Sequence, residues 1–256
     1  MRDSGPIIVK DSNGKNEALH FNFNGWAKYN NYKLDRGVPQ KVSNVLALPL
    51  KQVIYHGQPV VLEGGALETN GKGTLLTSEE CLLHPDIQVR NPGFTKADYE
   101  AVFKEYLGIT HTIWIGDGIC GDDTHGHIDD LCRFVNENTI VTVIEDKVDD
   151  ANYNSLQDNL QRLKKAKLQD GKTPNIVTLP MPKRLDFEDL RLPASYANFL
   201  IINSCVLVPT FNDPNDRKAL NILADCFPNR EVIGISAIDL IWGFGTLHCL
   251  SQQVPV

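Results

Sequence analysis

Strand-length apolar runs recur along the chain in a fixed order: two runs, a helix with start and stop signals, then a third run. In the first such unit, Pro59–Gly65 and Gly73–Ser78 read as strands around the turn signal Asn70-Gly71. Thr95 then caps a helix reaching Tyr106, with Asp98 completing a capping-box pair and Gly108 just past the end; His111–Ile115 is the closing strand. In the second, Leu131–Val135 and Thr139–Ile144 precede a helix over residues 152–168, whose Leu156, Leu160 and Leu163 keep one apolar face; Asn175–Leu179 closes it. The third runs through Asn198–Ile202 and Cys205–Pro209 to Asp213-Pro214, an N-cap followed by proline at the first helical position. Its helix extends to Cys226 and its closing strand is Glu231–Ile235. A truncated version comes first, with strands near Pro6–Val9 and Leu19–Phe23, a helix around Gln40–Leu46 and a strand at Gln52–Tyr55. Units of this kind at a spacing of roughly 60–70 residues cannot each bury their own apolar face, so neighbours must close a shared core. The pattern predicts an α/β ring or propeller of ββαβ modules. A doubly wound sheet would need strict strand–helix alternation, which is missing.

Composition narrows the partners. The chain has 256 residues with 25 Lys and Arg against 32 Asp and Glu, a net charge of −7. Nucleic-acid binding needs clustered cations and is excluded as a class, whereas a negative field favours small cationic substrates. The longest apolar stretch, Ala197–Pro209, is interrupted by Asn203 and Ser204 and falls short of the ~20 residues a bilayer requires, so no membrane partner is expected. Met1–Pro6 has no apolar run behind it, so it is not a secretory signal and the expectation is cytoplasmic. Six cysteines without a C-x-x-C pair do not form a disulfide framework; most read as small buried hydrophobes.

The polar chemistry gathers in loops that follow the closing strands. Glu63-Gly64-Gly65 follows Gln52–Tyr55; the run 116–130, containing His125, His127, Asp129 and Asp130, follows His111–Ile115; Gly243-Phe244-Gly245 and Cys249 follow Glu231–Ile235. In a ring of modules such loops converge. His127 and Asp129, two residues apart, share a face on an extended segment and would set a proton-transfer group beside a carboxylate. With Cys249 they form a nucleophilic constellation, flanked by Gly245 for close backbone approach and by Gln252 and Gln253 to orient a ligand. The same residues admit other readings. Cys249 alone reads as inert packing, His125, His127 and Asp129 with Cys249 read as a metal site, and Asp122, Asp123, Asp129 and Asp130 read mostly as a solvated acidic loop. Gly243-Phe244-Gly245 is too short for a phosphate loop.

Four ordered motifs carry a resemblance across the whole chain: Met1–Pro6, Leu62–Gly65, Gly126–Asp129 and His248–Gln253. Together they resemble the agmatine deiminase family, also described as Porphyromonas-type peptidylarginine deiminases, of the guanidino-group-modifying superfamily. The resemblance implies a pentein-type α/β propeller of ββαβ modules. It implies Cys249 as the nucleophile, His127 as the acid/base and Glu63 as the group that orients His127. Asp3 and Asp129 would grip a guanidinium and Gly245 would line the substrate. No metal and no cofactor is implied, and the partner would be a small cationic guanidino compound, with a homo-oligomer possible.

The resemblance further implies agmatine hydrolysis to N-carbamoylputrescine and ammonia through a cysteine thiouronium adduct. Deimination of arginine or peptidylarginine stays open at this point, as does a catalytically silent module for binding or oligomerisation. Two departures bear on the substrate end: Phe244 stands where many relatives have glycine, and His125 where many have Asp or Asn. Relatives usually carry one further module upstream, so residues 1–256 are expected to form a single catalytic domain lacking its N-terminal module.

Overall fold

A computed structural model describes residues 1–255 and contains four modules of one topology. The first comprises β1 (Ile7–Lys10), β2 (Asn16–His20), α1 (Val38–Leu46) and β3 (Leu50–Gln52), followed by a small hairpin, β4 (Ile54–Tyr55) with β5 (Gln58–Pro59). The second has β6 (Glu68–Thr69), β7 (Thr74–Ser78), the short α2 (Glu79–Leu83), α3 (Lys96–Leu107) and β8 (His111–Ile115). The third is β9 (Cys132–Asn136), β10 (Thr139–Ile144), α4 (Tyr153–Lys165) and β11 (Asn175–Pro180). A second hairpin, β12 (Asp186–Phe187) with β13 (Leu190–Arg191), precedes the last module: β14 (Leu200–Ile201), β15 (Cys205–Thr210), α5 (Pro214–Cys226) and β16 (Glu231–Ser236). In each three-stranded sheet the second strand is central, antiparallel to the first and parallel to the third, with a helix making the crossover. The initial unit is therefore a complete ββαβ module and not the truncated one expected, because α1 and β3 close it in the same register as the others.

Local chemistry sets the helix boundaries. Thr95 and Asp98 exchange both bonds of a capping box ahead of α3, and Gly108 closes that helix at φ 67°. Asp213 and Asp216 do the same for α5, with Pro214 in its first turn. On α4, Leu156, Asn159, Leu160 and Leu163 form the buried stripe. Each leucine so buried contributes about 2 kcal/mol of transfer free energy.

Two apolar clusters result. One gathers the first two modules around Leu19, Val60, Leu62, Leu75, Tyr99 and Phe103; the other gathers the last two around Ile140, Val143, Leu156, Leu163, Val206 and Leu223. Strands β7 and β8 serve both, Leu75 and Trp114 on one side, Leu76, Ile113 and Ile115 on the other, as the two-residue period of a strand dictates. Among the described residues no helix is long and apolar enough to cross a membrane.

One expected strand is not there. Residues 59–65 end the β4–β5 hairpin, cross the core as irregular chain and finish in a 3₁₀ turn at Gly64–Ala66; the antiparallel partner of β7 is Glu68–Thr69 instead. Asn91 Oδ1 accepts from Val61 N at 2.8 Å and its Nδ2 donates to Val61 O at 2.7 Å, while Asn22 N donates to Val60 O at 2.7 Å. These contacts satisfy the buried backbone that a strand ladder would otherwise serve, and they fix the approach to Glu63.

Candidate active site

The loop after β8 delivers His127, Asp129 and Asp130, and it is held from several sides. Asn159 on α4 accepts from Gly116 N and donates to Asp117 O, both at 2.7 Å, and Asn152 Oδ1 accepts from Cys120 N at 2.7 Å. Asp122 Oδ2 accepts from the backbone N–H groups of Gly126 (2.7 Å) and His127 (3.0 Å), and its Oδ1 from Thr124 N (2.8 Å). The expected extended face is absent: Ile128–Asp130 is a 3₁₀ turn, and His127 and Asp129 reach the site from its two ends. Nor is this a solvated acidic loop. Asp129 and Asp130 are buried, Asp122 organises the turn, and Asp123 pairs with Lys28 and accepts from Tyr29 Oη at 2.7 Å.

His127 is buried between two carboxylates. Its Nδ1 lies 3.9 Å from Asp3 Oδ1 and its Nε2 lies 4.0 Å from Glu63 Oε2. Burial opposes its charge, but Asp3 and the neighbouring Cys81 and Asp129 outweigh that and hold its pKa well above the usual histidine value. Glu63 is itself fully buried and its Oε1 accepts from Arg90 Nε at 3.0 Å. Arg90 also donates to Gln88 O at 2.8 Å and Thr124 O at 2.5 Å, tying the Glu63 turn to the His127 loop. Gly65 makes this crowding feasible: a Cβ there would stand 2.4 Å from His127 Nδ1 and 2.9 Å from Asp3 Oδ1. Gly65 N donates to Asp3 Oδ1 at 3.0 Å, and Trp26 Nε1 donates to Asp3 Oδ2 at 3.1 Å.

Cys249 completes the arrangement. Its thiol lies 3.6 Å from Asp129 Oδ2, and Asn198 Nδ2 donates to Sγ at 3.0 Å and to Asp130 Oδ1 at 3.0 Å. Asn198 Oδ1 in turn accepts from Thr246 Oγ1 (2.8 Å) and His248 N (3.1 Å), so one buried amide sets the whole turn before the cysteine. Asp129 Oδ2 is 2.6 Å from His248 Nδ1. Burial first, then Arg133 and Arg2, push the His248 pKa down, so the ring is neutral and its Nδ1–H donates to the carboxylate. Burial raises Asp129 to about 6, and its Oδ1 has no partner among the described residues. Burial and the carboxylates of Asp129, Asp130 and Asp3 also push the Cys249 thiol well above its ordinary range, so the resting side chain is a thiol. A Cβ on Gly245 would stand 2.8 Å from Cys249 Cβ and 3.0 Å from its Sγ, so Gly245 keeps the approach to sulfur open.

Cys249, Gly245, Asp3 and Trp26 line one cavity of about 450 Å³. Its lining includes Asp35 and Asp123 and contains no Lys, Arg or His side chain.

Two earlier readings are overturned. Gln252 and Gln253 do not orient a ligand: their Oε1 atoms accept from Arg2 Nη1 at 2.7 and 2.5 Å, and Arg2 Nε donates to His248 O at 3.2 Å. His125 does not join His127 in a metal site; its Nδ1 sits 3.1 Å from Glu80 O and its Nε2 3.6 Å from Glu80 Oε1. The donor groups that do lie within 4.8 Å of one another are Glu63, Cys81 and His127, and Asp129, Asp130 and Cys249. Arg2, Cys81, Arg90, Asn198 and His248 were not singled out in the sequence as site residues. Arg2 and His248 lie within two of the four motifs, and Asn198 is a lone amide entering an apolar run, which are the available signals.

The Porphyromonas-type peptidyl-arginine deiminase family matches residues 1–255. An agmatine deiminase of Pseudomonas fluorescens is 34% identical over 275 residues, covering 100% of this chain and 74% of its own length. An agmatine deiminase structure from Enterococcus faecalis superposes with a TM-score of 0.90 at 30% identity, covering 99% of this chain and 74% of that one. A substrate-bound agmatine deiminase from C. jejuni gives a TM-score of 0.87 at 36% identity, covering 97% and 71%. The α/β fold of these deiminases is thus the fold of this chain, and the order of its four modules agrees with the repeat read from the sequence. With sequence, fold and family in agreement, the chain belongs to the Porphyromonas-type peptidyl-arginine deiminases and is a hydrolase acting on carbon–nitrogen bonds.

Proposed function

We propose that this protein is an agmatine deiminase, that residues 1–256 act as one catalytic unit, and that Cys249, His127, Glu63, Asp3, Asp129 and Gly245 form its site. The observation that carries the reading is the cavity itself: a cysteine and several carboxylates face it and no cationic side chain does. Agmatine is a guanidinium at one end and an ammonium at the other. Arginine would bring, beside its α-ammonium, an α-carboxylate for which the lining offers no Lys, Arg or His side chain.

In this reading Asp3 and Asp129 accept from the guanidinium nitrogens, the charge-assisted pairing that a planar forked donor favours. The substrate cation offsets the carboxylate field that keeps Cys249 protonated, and the thiol proton passes to solvent, where the released ammonia takes one up as ammonium. Sγ attacks the guanidinium carbon, and His127, held protonated by Asp3, gives its proton to the departing ammonia. The neutral His127 then takes a proton from water as the hydroxyl adds to the thiouronium carbon; the C–S bond breaks as the C=O forms, and the hydroxyl proton goes to the departing sulfur, which returns the Cys249 thiol and releases N-carbamoylputrescine. Glu63, anchored by Arg90, keeps the imidazole oriented through both steps.

The test is ammonia and ureido-product release from agmatine and from arginine, side by side, with Cys249→Ala as the blank. Agmatine turnover that exceeds arginine turnover and vanishes in Cys249→Ala supports the reading. Preferential turnover of arginine, or activity that survives Cys249→Ala, refutes it.

A further inference from the structure

Three aspartates line the cavity, and two of them are already engaged. Asp3 accepts from Trp26 and Gly65, and Asp123 holds Lys28 and Tyr29. Asp35 is the third. It opens the 3₁₀ turn Asp35–Gly37 that leads into α1, and its carboxylate has no hydrogen-bond donor and no cation against it among the described residues. Its neighbour Arg36 is committed elsewhere, with Nε donating to Phe23 O at 3.2 Å and its guanidinium 4.6 Å from the Tyr32 ring. One cavity is therefore lined both by a sulfur flanked by carboxylates and by a carboxylate that no neighbouring cation compensates.

A linear substrate with a guanidinium at one end and a protonated amine at the other has the charge pattern this lining complements. Resting on the reading above, we propose that Asp35 is a specificity residue that receives the distal ammonium of an aminoalkylguanidine. The pairing acts on binding and not on bond cleavage, since Asp35 takes no part in the hydrogen bonds and ion pairs that join Cys249, Asp129 and His127 to their neighbours. A partly exposed residue gives a modest, measurable effect, about tenfold in selectivity for a charge-assisted contact of this kind. Free arginine sets a carboxylate beside its ammonium at that end, and the repulsion of that carboxylate offsets the attraction of the ammonium, so agmatine gains more from Asp35 than arginine does.

The experiment compares agmatine with butylguanidine, the same chain without the amine, and with arginine. For Asp35→Asn, the ratio of kcat/KM for agmatine to that for butylguanidine should fall about tenfold, through KM for agmatine. Asp35→Glu should restore the ratio to within a few-fold of the original, and Asp35→Lys should raise arginine relative to agmatine. A ratio unchanged by Asp35→Asn, or agmatine and butylguanidine losing equally, overturns the assignment while leaving the deiminase reading intact. Absence of agmatine turnover by the unaltered protein overturns both.

Discussion

Replacing Gly65 by alanine isolates how tightly the proton-transfer group is packed. The added methyl would lie 2.4 Å from His127 Nδ1, where ordinary contact begins at 3.4 Å, so the imidazole or the turn must yield by about 1 Å. Gly65 does not have a positive φ, so alanine fits its backbone and the clash is with the site alone. A displacement of about 1 Å in a catalytic group costs on the order of 100-fold in rate, or about 2.7 kcal/mol of transition-state stabilisation. Overpacking adds about 1–3 kcal/mol of destabilisation, a fall of a few degrees in Tm for a chain of this size. The assay is kcat/KM for agmatine together with a thermal melt. Gly37→Ala serves as the control for the melt, since nothing lies within 4 Å of a Cβ there. Full turnover in Gly65→Ala would refute the claim that His127 is held by contact with this turn.

Two further outcomes follow from buried charge. Arg90→Met leaves the fully buried Glu63 without its partner and should cost about 3–5 kcal/mol, lowering Tm by roughly 10 °C and activity with it; a change of under about 1 kcal/mol would mean Glu63 is not charged there. Asp129 titrates near pH 6 when folded, against 3.8 ordinarily, so the folded state binds more protons between those values. Its contribution to stability is complete below about pH 4 and is lost as pH rises through about 6. The proposed contact of Asp129 with a guanidinium needs the ionised form and runs the other way, so kcat/KM should drop below about pH 6. Melts from pH 4 to 7 should therefore show Asp129→Asn gaining on the original protein as pH rises; the opposite trend contradicts the burial argument.

What the sequence revealed and what it concealed divide along contact distance. Thr95 with Asp98, and Asp213 with Pro214, announced their helices because capping is settled within four residues. The run Val60–Leu62 was apolar enough for a strand, but its backbone partners are Asn22 and Asn91, which no local pattern discloses. At the site, motif resemblance pointed to Asp3, Glu63, His127, Asp129 and Cys249. Their supports did not show, because Arg90 acts across 27 positions and Asn198 across 51. The two-residue spacing of His127 and Asp129 suggested a common strand face, yet Asp122 captures the N–H groups of Gly126 and His127 and bends the chain into a turn. Spacing alone misjudged how His127 and Asp129 are presented.

Arg2 joins the two ends of the proposed catalytic set. Its guanidinium is held by Gln252, Gln253 and the carbonyl of His248, and its backbone N–H, next to Asp3 in the chain, donates at 3.3 Å to the carbonyl of Cys249, far along the sequence. Closure over so long a loop is entropically costly and is deferred until the intervening modules have formed. During refolding, helical and sheet signals should therefore return before the nucleophile meets the Asp3 carboxylate, and enzymatic activity should be the last property regained.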